Sequence, residues 1–247
     1  MRKIRAFCKL AMGSLFGVAL LAGCATVPNG DPKDPMESMN RSFYAFNNGL
    51  DKAILKPISS AYTKALPAGV RESVFNFFSN LGYPTVFVNA LLQGKVTQSI
   101  EDTARFVFNS TIGIGGLFDV STGFGLARHK EDFGQTLAVW GIEQGAYLDL
   151  PLLGPNTIRS ALAIPADSYT SLLTYIGPNS VQFPLEGTEI VDKRARLASA
   201  IKLRDESALD PYIFQREAYL QRRRSLIYDG SPPLEGLDED LNGDGAQ

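Results

Sequence analysis

Leu21-Ala22-Gly23-Cys24 closes an apolar run that opens on Arg2, Lys3 and Arg5. A basic start, an apolar stretch and small residues before the cut form an export signal that is removed on maturation. Cysteine directly after the cut is the lipobox, at which the new first residue, Cys24, is acylated. The consequence for folding is severe. Cys8 leaves with the signal and Cys24 carries lipid, so the mature chain has no cysteine for a disulfide or a metal site. The body must hold together without covalent staples although its compartment is oxidising. The apolar core of the signal, residues 10–22, is shorter than the roughly 20 residues of a spanning helix. Every later apolar run is interrupted by Gly, Pro, Asn or charge. The mature chain is anchored to a membrane and does not thread through it.

Removing residues 1–23 leaves 224 residues, enough for one large domain or two small ones. The charge is uneven. The signal takes four basic residues with it, leaving 20 Lys and Arg against 26 Asp and Glu. Six of those acids lie in the base-free tail, residues 229–247, so the body is neutral and carries no footprint for nucleic acid. The tail, with Pro232, Pro233 and few apolar groups, reads as disordered. The division is therefore signal 1–23, lipidated tether 24–33, helical domain 34–228 and acidic tail 229–247.

Within the body, Asp34-Pro35 opens a helix over 35–50, with Asp34 as N-cap and Glu37 three residues on. Met36, Met39, Phe43, Phe46 and Leu50 form one apolar stripe, and Asn40, Tyr44, Asn47 and Asp51 a polar column beside it. Further helices follow, punctuated by Pro57, Pro67, Pro84 and Gly94. The segment 68–81 puts Val70, Val74, Phe77, Phe78 and Leu81 on one face. The segment 96–109 does the same with Val96, Ile100, Ala104 and Val107. Such stripes serve equally to meet one another in a core or to lie in a bilayer interface, and periodicity does not separate the two.

Gly113, Gly115 and Gly116 mark a flexible apolar loop without the spacing of a phosphate cradle. A short helix is expected over 132–140, a hinge or turn bounded by Gly141 and Gly145, and a strand over 146–150. Helices resume from Asn156 with breaks at Pro165, Pro178 and Pro184, and the last two run over 187–203 and 211–227, the latter capped by Asp210.

Little here suggests catalysis. His129 is the chain's one histidine, beside Arg128 and Lys130, and reads as a solvated loop residue. No nucleophile elbow accompanies it. Residues 240–245 match half an EF-hand loop and lack the twelfth ligand. Arg222-Arg223-Arg224 suits a helix C-terminus, or contact with an acidic protein surface or anionic lipid. No cofactor and no metal site are expected.

In this order the segments resemble the MlaA (VacJ) family of outer-membrane lipoproteins. The resemblance rests on the lipobox, Asp34-Pro35 with Asn40-Arg41, Tyr44 with Phe46-Asn47, and Phe75 to Asn80. It continues through Leu92-Gln93-Gly94, Arg105-Phe106 with Asn109, Gly113 with Gly115-Gly116 and Asp119, and Phe133 to Leu137. Leu150-Pro151 and Asp210-Pro211-Tyr212 with Arg216-Glu217 end the series. It covers the mature chain apart from the acidic tail.

The resemblance implies an all-α, ring- or disc-like arrangement of amphipathic helices with a central amphipathic channel and one short hairpin. Such a disc lies in the inner leaflet of the outer membrane, bound to a trimeric porin. It takes mislocalised phospholipid from the outer leaflet to the soluble periplasmic carrier MlaC, with no covalent chemistry. Ala25, rather than Asp, after the acylated cysteine agrees with an outer-membrane address on the periplasmic side. By similarity Asn40, Tyr44, Phe46 and Asn47 belong to the channel rim, and the hairpin around Gly141 and Gly145 to a mobile loop at its mouth. Asn40 and Asn47 serve as well to satisfy neighbouring polar groups. The alternatives are a structural lipoprotein that stabilises porins and a lipid-tethered periplasmic hydrolase.

Overall fold

The computed structural model describes Asp31 and residues 34–233. The lipidation site Cys24, the signal, the rest of the tether, and the tail beyond residue 233 with its half EF-hand lie outside the described residues.

The first helix, α1 (Glu37–Leu50), does not stop at Pro57. It runs through a π-helical turn, Asp51–Leu55, into α2 (Lys56–Ala65). Proline in an α-helix presses its ring on the carbonyl four residues back. The wider turn, in which the Lys56 amide donates to the Asp51 carbonyl, relieves that crowding and keeps the helix continuous. Nor does Asp34 cap the helix. Its side chain is buried among Asn40, Tyr212 and Arg216, and α1 begins after Met36 with no side-chain cap.

The long α3 (Ala68–Leu92) carries Pro84 in its interior, where a break is expected. Interior proline costs about 3 kcal/mol. Buried residues on both sides, Phe78 and Asn80 before it and Thr85 and Asn89 after it, hold the helix across the defect. After α4 (Val96–Thr111) come the short α5 (Phe133–Val139), capped by Asp132, and a two-stranded antiparallel hairpin, β1 (Tyr147–Leu150) with β2 (Gly154–Thr157). Strand β1 is the one expected. β2, with the sequence Gly-Pro-Asn-Thr, has almost no strand signal of its own and is fixed by pairing Tyr147 with Thr157 and Leu150 with Gly154. The chain ends with α6 (Ile158–Thr170), α7 (Asn179–Arg196), α8 (Ala198–Ser207) and α9 (Pro211–Ile227). Pro165 and Pro184 lie inside α6 and α7, so neither is a break, and the last expected helix before α9 is divided at Leu197. Asp210 caps α9 by accepting from the Tyr212 and Ile213 amides, as its position predicts.

The protein is helical with one small hairpin. Contacts pass round a closed circuit: α1 to the hairpin, the hairpin to α9, α9 to α5, α5 to α3, α3 to α7, α7 to α2, and α2 back through the π turn to α1. What lies inside is unusual. Among the described residues the buried apolar set is only Phe78, Tyr83, Ala90, Tyr147, Ala163, Tyr212 and Leu220. Buried polar and charged residues outnumber them more than threefold. In α4 the packed face is Ser99, Asp102, Arg105 and Asn109, while Val96, Ile100, Val107 and Phe108 face outward. The apolar stripe exists where periodicity puts it, and it points away from the protein.

Candidate functional site

Two asparagines on α1 bolt the hairpin in place. Asn40, fully buried, donates from Nδ2 to Asp34 Oδ1 (2.7 Å) and to the Tyr147 carbonyl (3.0 Å). Its Oδ1 accepts from the Asp149 amide (3.0 Å). Two turns on, Asn47 donates to Asp149 Oδ1 (2.8 Å) and the Leu150 carbonyl (2.9 Å), and accepts from the Leu152 amide (2.8 Å). Each asparagine amide is used on both ends, so neither offers a free polar group to a rim. Tyr44, between them, is half-buried edge-on to Tyr212 at 5.7 Å, with the Arg204 guanidinium over its ring. Phe46 is 53% exposed.

Tyr44 and Asn47 open onto a trough that follows the inner side of the α1–π–α2 rod, facing α8. It consists of two cavities of about 150 and 340 Å³ that share Asp51 and Ile201. Asp51 holds Arg194 (Nη2 to Oδ2, 2.9 Å), which anchors α7 at the π turn. Lys52 and Lys56 are exposed on the trough wall, one helical turn apart, with no acidic partner among the described residues. The Ser60 and Thr63 side chains line the same wall. The opposite side of this rod carries Ile54 and Ile58, both exposed. A single bent helix thus shows cations and hydroxyls to one side and bare hydrocarbon to the other, which is the chemistry of an amphiphile's surroundings.

Two carboxylates, Asp149 on β1 and Asp167 on α6, form no ion pair among the described residues. Burial pushes Asp149 up to about 6, against hydrogen bonds from Asn47, Tyr147 and Gln215. It does the same to Asp167, which accepts from the Phe133 amide. An unfolded aspartate loses its proton near pH 3.9. Between about pH 4 and 6 the folded chain therefore binds more protons than the unfolded one, and stability falls as pH rises through that window. For Asp149 alone the loss is on the order of 2 kcal/mol. Denaturant midpoints at pH 4.5 and 7 test this. Asp149→Asn and Asp167→Asn should each flatten the difference, and an unchanged difference in the double variant would contradict it.

The glycines behave differently from expectation. The turn of the hairpin is at residues 151–153, not 141–145. Gly141, at φ +86°, ends α5 in a Schellman arrangement: its amide donates to the Ala138 carbonyl and that of Ile142 to the Leu137 carbonyl. Gly145 is pinned against Ile158. Neither is placed as a free hinge. In the loop with Gly113, Gly115 and Gly116, the first and last are close-packed and Gly115 is exposed. A Cβ on Gly116 would lie 2.4 Å from that of Asn80, and one on Gly113 would strike the Phe118 and Asn109 carbonyls. Glycine serves here to let backbone approach backbone.

Two further expectations change. His129 is tied through Nδ1 to the buried carboxylate of Asp102 at 3.0 Å and is not merely solvated. Arg223 does not cap α9. It is buried and grips both oxygens of Asp132, fastening α9 to the start of α5.

The family model for the MlaA lipoprotein matches residues 32–226. The chain belongs to this family. It is 35% identical over 251 residues to the intermembrane phospholipid transport system lipoprotein MlaA of Escherichia coli (strain K12), covering 94% of this chain and 97% of that one. The protein of the same name from Haemophilus influenzae is 30% identical over 249 residues, with the same shares covered. A solved structure concerned with the structural basis for maintenance of bacterial outer membrane lipid asymmetry superposes with a TM-score of 0.70 at 35% identity. The match covers 78% of this chain and 98% of that one.

In this MlaA-family chain the sequence reading passes over the trough lysines and Asp149. Lys52 and Lys56 carry an i, i+4 signal, and an eye for unpaired cations beside a helix-interior proline would have found them.

Proposed function

We propose that this chain is the outer-membrane lipoprotein of a phospholipid-transport system that maintains outer-membrane lipid asymmetry. It removes mislocalised phospholipid from the outer leaflet through the interior of its helical ring, without covalent catalysis. Acylated at Cys24, it sits on the periplasmic side with its ring in the inner leaflet beside a trimeric porin, and delivers lipid to the periplasmic carrier MlaC. The observation that carries this reading is the inverted distribution of polarity. Large apolar residues such as Ile100, Ile114, Leu152 and Leu162 are 64–72% exposed, while arginine, aspartate and asparagine fill the interior. Among the described residues no helix is long and apolar enough to cross a membrane. Exposed hydrocarbon on such a chain fits partial immersion in one leaflet. The names of the E. coli and H. influenzae relatives point to the same role.

The test is a deletion strain. Labelling of phosphatidylethanolamine in intact cells by an impermeant amine reagent should rise several-fold, and return to the parental level with the wild-type gene but not with Cys24→Ala. Unchanged labelling after deletion would refute the reading.

A further inference from the structure

The trough beside the π turn holds more positive charge than its own acids balance. Three acids line its two cavities, and each has a basic partner. Both oxygens of Asp51 are taken by Arg194. Asp205 accepts from Nε and Nη2 of Arg204 (2.9 and 2.8 Å). Glu206 lies 3.8 Å from Lys202, a longer and looser contact. Asp149, an acid just behind the lining, is 1% exposed and accepts from both Asn47 and Gln215. Five bases thus face three acids in the lining, and the excess of two is Lys52 and Lys56. Both are exposed and unpaired among the described residues.

The local structure collects that charge in one place. π-Helical turns are rare and recur at functional sites. Here the turn carries Asp51 at its start, seated on Arg194, and Lys52 one residue on, with Lys56 directly after its end. Like charges four residues apart on a helix repel each other, a cost that an anion beside them relieves. Ala195, Ala198 and Ile201 line the same cavity with hydrocarbon. Its volume of about 340 Å³ is that of a site for a small ligand.

We propose that the trough binds the phosphate of a phospholipid headgroup, with Lys52 and Lys56 as its two cations. A lysine ammonium meets phosphate as a point charge on a flexible stem, without the fixed fork of arginine. That suits a group that must be held and then released. The Ser60 hydroxyl, on the same wall, adds a donor, and the alanines and Ile201 meet the apolar part of the glycerol ester. Glu206, whose own partner is the most distant, is the acid left to compete for the lysines. The proposal rests on the transport reading above and names what the passage recognises. Free phosphate shares the chemistry.

The experiment titrates the detergent-extracted protein, in uncharged maltoside micelles, with dihexanoyl phosphatidylglycerol, dihexanoylglycerol and inorganic phosphate by calorimetry. The phosphate-bearing lipid should bind and the phosphate-free one should not; equal binding of the two overturns the proposal. Inorganic phosphate binding as tightly as the lipid would make this a free-phosphate site and overturn the headgroup assignment. Lys52→Gln with Lys56→Gln should weaken binding roughly tenfold, about what two exposed ion pairs contribute. Both side chains are exposed, so the double variant should melt like the parent. Glu206→Gln should tighten binding by removing the competitor. Full binding in the folded double variant overturns the proposal. So does binding that emerges only after removal of residues 234–247, which would make the acidic tail the occupant. Binding lost in the double variant while a deletion strain keeps normal lipid asymmetry would retain the site and reject the transport role. Full rescue of a disturbed deletion strain by the double variant would reject the site and retain the role.

Discussion

Arg105→Ala should lower the stability of the protein by about 3–5 kcal/mol, the cost of breaking a buried ion pair by removing one member. Arg105 on α4 is fully buried and uses its whole guanidinium. Nε donates to the Tyr83 hydroxyl (2.7 Å), Nη2 to both oxygens of Asp119 (2.7 and 2.9 Å), and Nη1 to the Leu126 carbonyl. Asp119 also accepts from Arg128 (2.6 Å), Asn109 (3.1 Å) and Thr122 (2.6 Å). Its site is desolvated, yet those bonds and the Arg105 charge hold its pKa well below the usual carboxylate range. Without Arg105 the carboxylate keeps Arg128 as its one paired cation, and the Tyr83 hydroxyl and the Leu126 carbonyl lose their donor. Lysine would restore charge but not the fork, so Arg105→Lys should recover only part of the loss. The glycine loop, which displays Ile112, Ile114 and Phe118 outward, hangs on this knot and should lose amide protection first. Unfolding in detergent with hydrogen exchange measures both. A loss below 1 kcal/mol would show that the knot is not what fastens the loop.

That knot also shows what the sequence could disclose. The helix starts at Asp132 and Asp210 were legible because a cap is a local bargain between one side chain and the next three amides. Helix α4 was legible as a helix because its apolar residues recur at the right spacing. Its orientation was not. Period 3.6 identifies a face and is silent on whether protein or lipid covers it. The face of Ser99, Asp102, Arg105 and Asn109 reads as the wet side of a soluble helix, and it is the packed side here. The prolines misled for a related reason: their local cost is real, but α3, α6 and α7 are held by partners distant in the chain. Strand β2 and the close-packed glycines were hidden in the same way. Gly116 is defined by Asn80, which lies 36 residues earlier, and no window along the chain contains both.

Asn40 and Asn47 are where the two readings of the polar column separate. If the column lined a passage, Asn40→Ala would leave the fold intact and impair only what passes through. The geometry predicts the reverse order of effects. Removing the Asn40 amide leaves the Tyr147 carbonyl and the Asp149 amide buried without partners, and deprives Asp34 of one donor. Each such orphan costs about 1–3 kcal/mol, so the variant should lose on the order of 3 kcal/mol. Asn47→Ala, at a half-buried position, should lose about 1 kcal/mol. Because both hold one hairpin, the double variant should lose less than the sum. Hydrogen exchange should localise the damage to β1 and β2 and spare α3 and α4, which share no substantial packing with the hairpin. Any transport defect of Asn40→Ala should then be rescued at low temperature, where a weakened but folded hairpin stays docked. A stable, fully protected Asn40→Ala protein that still fails to support lipid asymmetry would return the residue to the passage, and the bolt would be incidental.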